Sequence, residues 1–347
     1  MMRLMIRLPD SIAAGLHADL PRDGKRARDR ADSPKRPYRS AFKKRTRGSV
    51  KILMCTKRDL VGNIMLNRLL PALSEEHTID IVLANRIRPE NSSVPELISL
   101  KFFEQDLPNR LLFPLLDQAT STGSAWLSFD ALAQRHRVRI DTAGHIASAS
   151  ELTRRVQESA PDLIVSFQFG FIFKPEALAV PRLGALNLHS GALPQRAGVD
   201  PTFWCMKDGD SHAACTLHWI DHGIDSGPLL EVRPMALDYS RSLFANWIAN
   251  YQNGAQMIVD AISALALGMT LPATPQDAAQ RRYVLKPTEA DFADFAARGA
   301  RLLDTDDYLD LLANYLPAHL PTHAPTQSPT HLPTPLSAQS PAHLATP

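Results

Sequence analysis

The sequence predicts an α/β fold: a Rossmann-like, doubly wound and mostly parallel sheet, followed by a short helical extension at the carboxyl end. Three observations carry that prediction. Apolar runs of strand length recur at 50–54, 79–84, 163–165, 185–188 and 214–220. Segments with helical character lie between several of them, the alternation that builds a parallel sheet covered on both faces. The 347 residues, 44% hydrophobic and 21% charged, are enough to bury a substantial core.

The globular part is expected to begin near Ser49. Val50 to Met54 reads as a buried strand, and Asp59 to Asn63 as the turn into a helix that runs to about Leu73. That opening unit contains a lone Gly62 and no GxGxxG, so it carries no dinucleotide fingerprint. Ile79 to Ala84 is a second strand. The stretch from Pro95 to Ser124, with Pro108 and Pro114 inside it, predicts short helices. Phe129 to His136 reads as a helix, Val138 to Ile140 as a short strand, and Ser150 to Ser159 as a helix with Glu151 in its first turn. Strands follow at Leu163–Val165, at Ala185–Leu188 ending on His189, and at Ala214–Ile220 ending on Asp221. Ser242 can cap a helix that places Leu243, Trp247, Ile248, Tyr251, Ile258, Ile262 and Leu265 at helical spacing and stops at Gly268. Arg281 to Lys286 reads as a short strand, and Glu289 to Tyr315 as one or two amphipathic helices.

Four regions result: a disordered basic arm (1–48), a catalytic domain (49–270), a short extension (271–316) and a disordered tail (317–347). The arm faintly resembles a transit peptide, but an upstream start or a disordered leader is the simpler reading. The tail has eight prolines, five of them at every fourth position from Pro317 to Pro333, and no charge. Its four histidines lack the rigidity and cysteine partners of a metal tract, so no metal is expected.

The net charge of +2 conceals an asymmetry. Residues 1–50 hold 14 Lys and Arg against 5 Asp, which leaves 24 against 31 acidic residues, a net of −7, elsewhere. Polyanion binding draws on a dense cationic surface, so nucleic acid is disfavoured as a partner of the folded body. Cys55, Cys205 and Cys215 form no CxxC pair and suit a reducing compartment, hence a cytoplasmic location. No run of 18 apolar residues predicts a membrane span. No signal in the composition sets an oligomeric state.

Chemistry concentrates in two pieces. One is Asn187-Leu188-His189-Ser190-Gly191-Ala192-Leu193-Pro194; the other, 27 residues beyond that proline, is Asp221-His222-Gly223-Ile224-Asp225-Ser226-Gly227-Pro228. An amide, an imidazole and a carboxylate are what acyl transfer to an amine requires: a donor for the oxyanion, a proton shuttle and a group to orient it. The pieces follow strand-like runs, so both are expected on loops at the carboxyl rim of the sheet. His212, His218 and His222 are assigned no chemistry.

These residues resemble the folate-dependent formyltransferases, a family that includes glycinamide ribonucleotide, methionyl-tRNA and sugar-amine N-formyltransferases. The resemblance extends to Pro161–Val165 and to Phe169-Gly170-Phe171-Ile172-Phe173-Lys174-Pro175, and covers about residues 50 to 270. It implies Asn187 as oxyanion donor, His189 as proton carrier and Asp225 as the carboxylate that holds His189. It implies 10-formyltetrahydrofolate as formyl donor, with Phe169, Gly170, Phe171, Ile172, Asp221, Gly223 and Ile224 around the folate.

The family pattern is not followed at Gln195 to Asp200 and in the unassigned segment 95–150, the positions nearest the acceptor, and Ser190-Gly191 is a smaller departure in a tight turn. The acceptor expected is the amine of a small molecule. Three alternatives stand beside this reading. A hydrolase would use water in place of the amine. A methionyl-tRNA formyltransferase is disfavoured by the acidic body and by the roughly 45 residues between Pro272 and Pro317, too few for an appended β-barrel. A non-catalytic binding module would keep the sheet without turnover.

Overall fold

A computed structural model describes residues 48–84, 94–118, 124–141 and 148–317. The expectations of a disordered arm and tail lie outside the described residues, apart from their inner ends. The chain opens with β1 (Lys51–Lys57), whose five central residues are all buried. Asp59 caps α1 (Leu60–Leu73) by accepting the Gly62 N–H at 2.8 Å. The strand β2 (Thr78–Ala84) lies parallel to β1, and β3 (Arg139–Asp141) lies parallel to β2 at the edge. The chain then crosses back to β4 (Leu163–Phe167) on the other side of β1 and on to β5 (Ala185–His189).

Two antiparallel strands complete the sheet, β7 (His212–Trp219) against β5 and β8 (Leu229–Ala236) against β7. The order is β3-β2-β1-β4-β5-β7-β8. The strand order reverses between the parallel neighbours β1 and β4, which opens a crevice at their carboxyl ends, where ligands bind in sheets of this kind. The predicted doubly wound, mostly parallel sheet is therefore the observed one.

Both faces are covered. On one face α1 and the long α8 (Leu243–Ala266) enclose the larger core, with Leu186, Leu188, Cys215 and Leu217 pointing into it from β5 and β7. On the other, α5 (Ala149–Ser159) and the short α6 (Pro175–Leu178) cover Leu53, Cys55, Val82 and Ile164. Ser242 caps α8 as the sequence predicts, its hydroxyl accepting the Ala245 N–H at 3.3 Å and donating to Asp307 Oδ2 at 2.7 Å, and Gly268 takes a left-handed φ of +76° just past its end. The three cysteines are free and buried, and burial pushes their thiols upward, that of Cys205 to about 11. Among the described residues no helix is long and apolar enough to cross a membrane.

Several elements differ from the expectation. The stretch after Pro95 is almost continuously helical: α2 (Pro95–Lys101), two π-helical segments (Phe102–Asp106 and Pro108–Leu112), then α3 (Phe113–Gln118). Pro108 falls where the helix widens, so its missing N–H is tolerated. The helix α4 (Phe129–His136) forms as expected, and it packs on α1.

The carboxyl extension also departs from the prediction. The strand foreseen over 281–286 is only β9 (Tyr283–Val284), and it pairs with β6 (Ala197–Gly198) in a separate two-stranded sheet. A further helix, α7 (Pro201–Asp208), follows β6. The helical prediction for 289–315 resolves into α9 (Glu289–Ala297), with a Thr288/Asp291 capping box, and α10 (Thr305–Leu312).

Candidate active site

A cleft of about 580 Å³ lies over the carboxyl ends of β1, β4 and β5. Alternation along β5 decides what it contains. Leu186 and Leu188 point into the core beneath α8, so Asn187 and His189 share the opposite face, two residues apart. Across the antiparallel pair, His218 stands opposite Asn187 and Thr216 opposite His189.

The hydrogen bonds of His218 fix its tautomer. Nδ1 lies 2.9 Å from the Trp219 carbonyl, which only accepts, so Nδ1 carries the proton. Nε2 is then an acceptor, and it faces Asn187 Nδ2 at 3.1 Å. Burial lowers the His218 pKa to about 4, against the opposing pull of Asp225 and with help from neighbouring His189, so the ring is neutral at physiological pH. The Asn187 amide is thereby held with its nitrogen toward His218 and one N–H left over.

His189 is 7% exposed and places Nε2 2.7 Å from the Arg196 carbonyl, making that nitrogen a donor. Its Nδ1 lies 3.7 Å from Asp225 Oδ2. The other carboxylate oxygen, Asp225 Oδ1, is 3.9 Å from His218 Nε2. The three residues singled out in the sequence are thus brought together although 36 positions separate His189 from Asp225. The carboxylate sits at ion-pair range from both imidazoles rather than in direct hydrogen bond to His189. Its shortest contact is an acceptance from the Gly198 N–H at 3.2 Å.

The turn after β5 is braced from several sides. Thr216 Oγ1 donates to the Gly191 carbonyl at 2.6 Å and accepts the Leu193 N–H at 3.1 Å. A Cβ on Gly191 would come within 2.5 Å of the Arg196 carbonyl and 2.9 Å of His189 Nε2, so only glycine lets the chain return this close to the imidazole. The Arg196 guanidinium, held at 2.7 Å by both Asp208 and Asp210, anchors the residue whose carbonyl His189 engages.

The second piece was expected at the carboxyl rim. Because β7 is antiparallel, the 220–228 loop instead leaves from the opposite end of β5 and folds back over Asn187 and His189. Asp225 makes that return with a left-handed φ of +48°. Asp221 accepts from Gly223 N at 3.0 Å and Ser226 Oγ at 2.7 Å through Oδ1, so this oxygen braces its own loop.

All seven residues expected around the folate line the cleft. Phe169 is a floor rather than a wall, 3% exposed and stacked on Phe173 at 5.7 Å. Ile172 and Ile224, 59% and 45% exposed, form apolar rims.

Sequence reasoning passed over three participants. His218 reads as an ordinary alternating strand residue. Asp59 and Glu104 belong to distant elements, yet they meet in the cleft wall. Burial raises the pKa of Asp59, offset in part by Lys57 and by the bonds from Glu104 and Gly62. Glu104 is raised well above the ordinary carboxylate range, first by burial and then by Asp59. Gln168, at a left-handed φ of +51°, donates its side-chain amide to Glu104 Oε1. Such an acid pair is arranged to share one proton.

Comparison with known proteins bears out the resemblance to the formyltransferases. Residues 133–242 match the model of the formyl transferase family. Methionyl-tRNA formyltransferase of Burkholderia cenocepacia is 35% identical over 143 residues, 40% of this chain and 42% of that protein. The enzyme of the same name from Pelobacter propionicus is 30% identical over 144 residues, 42% of each chain. The matches thus span less than half the length of these curated relatives. Two solved structures are also similar. HypX from Aquifex aeolicus in complex with tetrahydrofolic acid has a TM-score of 0.45 and 15% identity, over 70% of this chain and 31% of that one. Glycinamide ribonucleotide transformylase 1 from Symbiobacterium toebii has the same score and identity, over 66% of this chain and 95% of that one.

Proposed function

We propose that this chain is an enzyme that transfers a formyl group from 10-formyltetrahydrofolate to the amine of a small-molecule acceptor. The observation that carries the reading is the convergence of Asn187, His189 and Asp225 in one cleft, with His218 setting the direction of the Asn187 amide. The family match over 133–242 supports the same reaction class. The cleft also suits a folate: the exposed rims Ile172 and Ile224 offer apolar contact that water does not reward, above the Phe169 floor.

In this mechanism the donor supplies the activated one-carbon group, and the chain's residues do the rest. The free N–H of Asn187 stabilises negative charge developing on the formyl oxygen without a protonation step. His189 moves a proton away from the attacking nitrogen and toward the departing one, a task suited to imidazole. Asp225, 3.7 Å from His189 Nδ1, orients the ring from one side while the Arg196 carbonyl fixes its plane from the other. No nucleophilic serine or cysteine is needed, because the acceptor amine attacks directly.

The test is a folate-dependent formylation screen over amino sugars, nucleotide sugars, amino acids and hydroxylamines, with methionyl-tRNA as a further arm, read by mass for addition of one formyl group. Transfer to a small amine that His189→Ala abolishes supports the reading. Transfer to methionyl-tRNA alone would move the acceptor to that of the relatives. Consumption of the donor with no acceptor present would make the chain a hydrolase, and unchanged transfer by His189→Ala would remove His189 from the mechanism.

A further inference from the structure

We propose that the strap of residues 274–287, which lies beyond the 133–242 family match, is part of the catalytic apparatus, with Gln276 and Arg281 acting as positioning residues for Asp225. The inference rests on the reading of Asp225 as the carboxylate partner of His189.

Asp225 has two ends to fix, its main-chain carbonyl and its carboxylate, and the strap holds both. At the first end, the left-handed conformation of Asp225 turns its carbonyl out of the loop, where no secondary structure can satisfy it. Gln276 Nε2 donates to it at 3.0 Å, and Arg281 Nη1 does so at 3.0 Å. The same two side chains reach the flanking residues: Gln276 bonds the Gly227 carbonyl at 2.7 Å and Arg281 the Ile224 carbonyl at 2.5 Å. Four side-chain bonds therefore clamp the turn that aims the carboxylate. Gln276 Oε1 is buried with no hydrogen-bond partner among the described residues, a cost that accompanies turning its nitrogen toward two carbonyls.

At the second end, the Gly198 N–H donates to Asp225 Oδ2, and Gly198 is itself placed by the strap. The Ala197 N–H bonds the Arg282 carbonyl at 3.1 Å and the Val199 N–H bonds the Val284 carbonyl at 3.0 Å. A Cβ on Gly198 would lie 2.2 Å from that Val284 carbonyl, so the two segments are pressed together. The strap is fastened at its start by a two-way bridge between Leu229 and Thr274 and near its end by Trp204 Nε1 on the Leu285 carbonyl at 2.9 Å. Both ends of one carboxylate residue thus depend on a segment that a family motif alone does not contain.

The test uses the full chain with Arg281→Met, Gln276→Leu, Arg281→Lys and Asp225→Asn. Arg281→Met is expected to lower kcat about 10-fold, because small misplacement of a catalytic group is costly, while leaving the donor KM nearly unchanged. Arg281→Lys should recover part of the loss, and Arg281→Met added to Asp225→Asn should cost nothing further, since both act through one carboxylate. An activity-independent readout separates this inference from the proposed reaction. Hydrogen exchange at the Gly198 amide should accelerate in Arg281→Met and Gln276→Leu as the Asp225 acceptor drifts, with the rest of the sheet protected as before. Unchanged exchange at Gly198 in both variants, or losses that add fully to Asp225→Asn, would overturn the positioning role. Absence of formyl transfer by the wild type would instead sink the reaction and leave the exchange result to judge the strap.

Discussion

Asn187 and His218 face each other across β5 and β7, 3.1 Å between Nδ2 and Nε2, and the neutral ring fixes the direction of the amide. An amide can flip at little steric cost, exchanging donor for acceptor. Here the bond from His218 Nδ1 to the Trp219 carbonyl removes that freedom, because it leaves Nε2 able only to accept. On the proposed mechanism, a buried histidine on a strand thus acts on the reacting oxygen through its neighbour, without touching it.

Replacing His218 with Phe should therefore leave the sheet folded but free the Asn187 amide. The expected loss in kcat is about 10²-fold, comparable to removing one oxyanion donor, with little change in KM for the formyl donor. Steady-state kinetics decide it. A variant with wild-type kcat would show that Asn187 needs no orienting partner.

The pH dependence of stability follows from the same residue. Its folded pKa of about 4 lies below the ordinary histidine value, so the unfolded chain takes up a proton that the folded one refuses. Sequence neighbours do not set this; burial does, with Asp225 opposing it and His189 adding to it. Stability is complete above the unfolded value and is lost as pH falls from about 6.5 toward 4. The loss by pH 5 should be on the order of 1–2 kcal/mol in urea unfolding, and His218→Gln should flatten that slope. Equal slopes for the two proteins would remove His218 as its source.

The acid pair in the cleft wall has the opposite sign. Glu104 and Asp59 have raised values in the folded state, so their contribution is favourable at low pH and is lost as pH rises through the folded values. Glu104→Gln keeps an oxygen to accept from Gln168 and removes the ionisation. It should raise Tm by about 2–4 °C at pH 8 and by almost nothing at pH 4. Scanning fluorimetry at the two pH values is sufficient, and a destabilised variant at pH 8 would show that the ionised pair supports the fold.

Much of this is legible in the sequence. The strands β1, β2, β4, β5 and β7 declare themselves as apolar runs because they are buried on both faces. The edge strand β8 does not: it alternates half-buried and exposed residues, carries Glu231 and Arg233, and contains Pro234. The helix after Pro95 was read as short pieces because Pro108 is a breaker in an α-helix but not at a π-helical widening. Asn187, His189 and Asp225 were found by motif, whereas His218, Asp59 and Glu104 have no local pattern, since each acquires its role from a partner 31 to 45 positions away. Gln276 and Arg281 were hidden for the same reason. Their partners are backbone carbonyls, which leave no trace in residue type.

The burial of the three cysteines has a practical consequence. Every native thiol in the chain is enclosed and resists ionisation at neutral pH, so alkylating dyes will find little to modify while the protein stays folded. An Ile172→Cys or Ile224→Cys exchange at the rim of the cleft would give a molecule with one reactive handle, and a fluorophore placed there would report, by its change in emission, whether the proposed folate donor settles beside it.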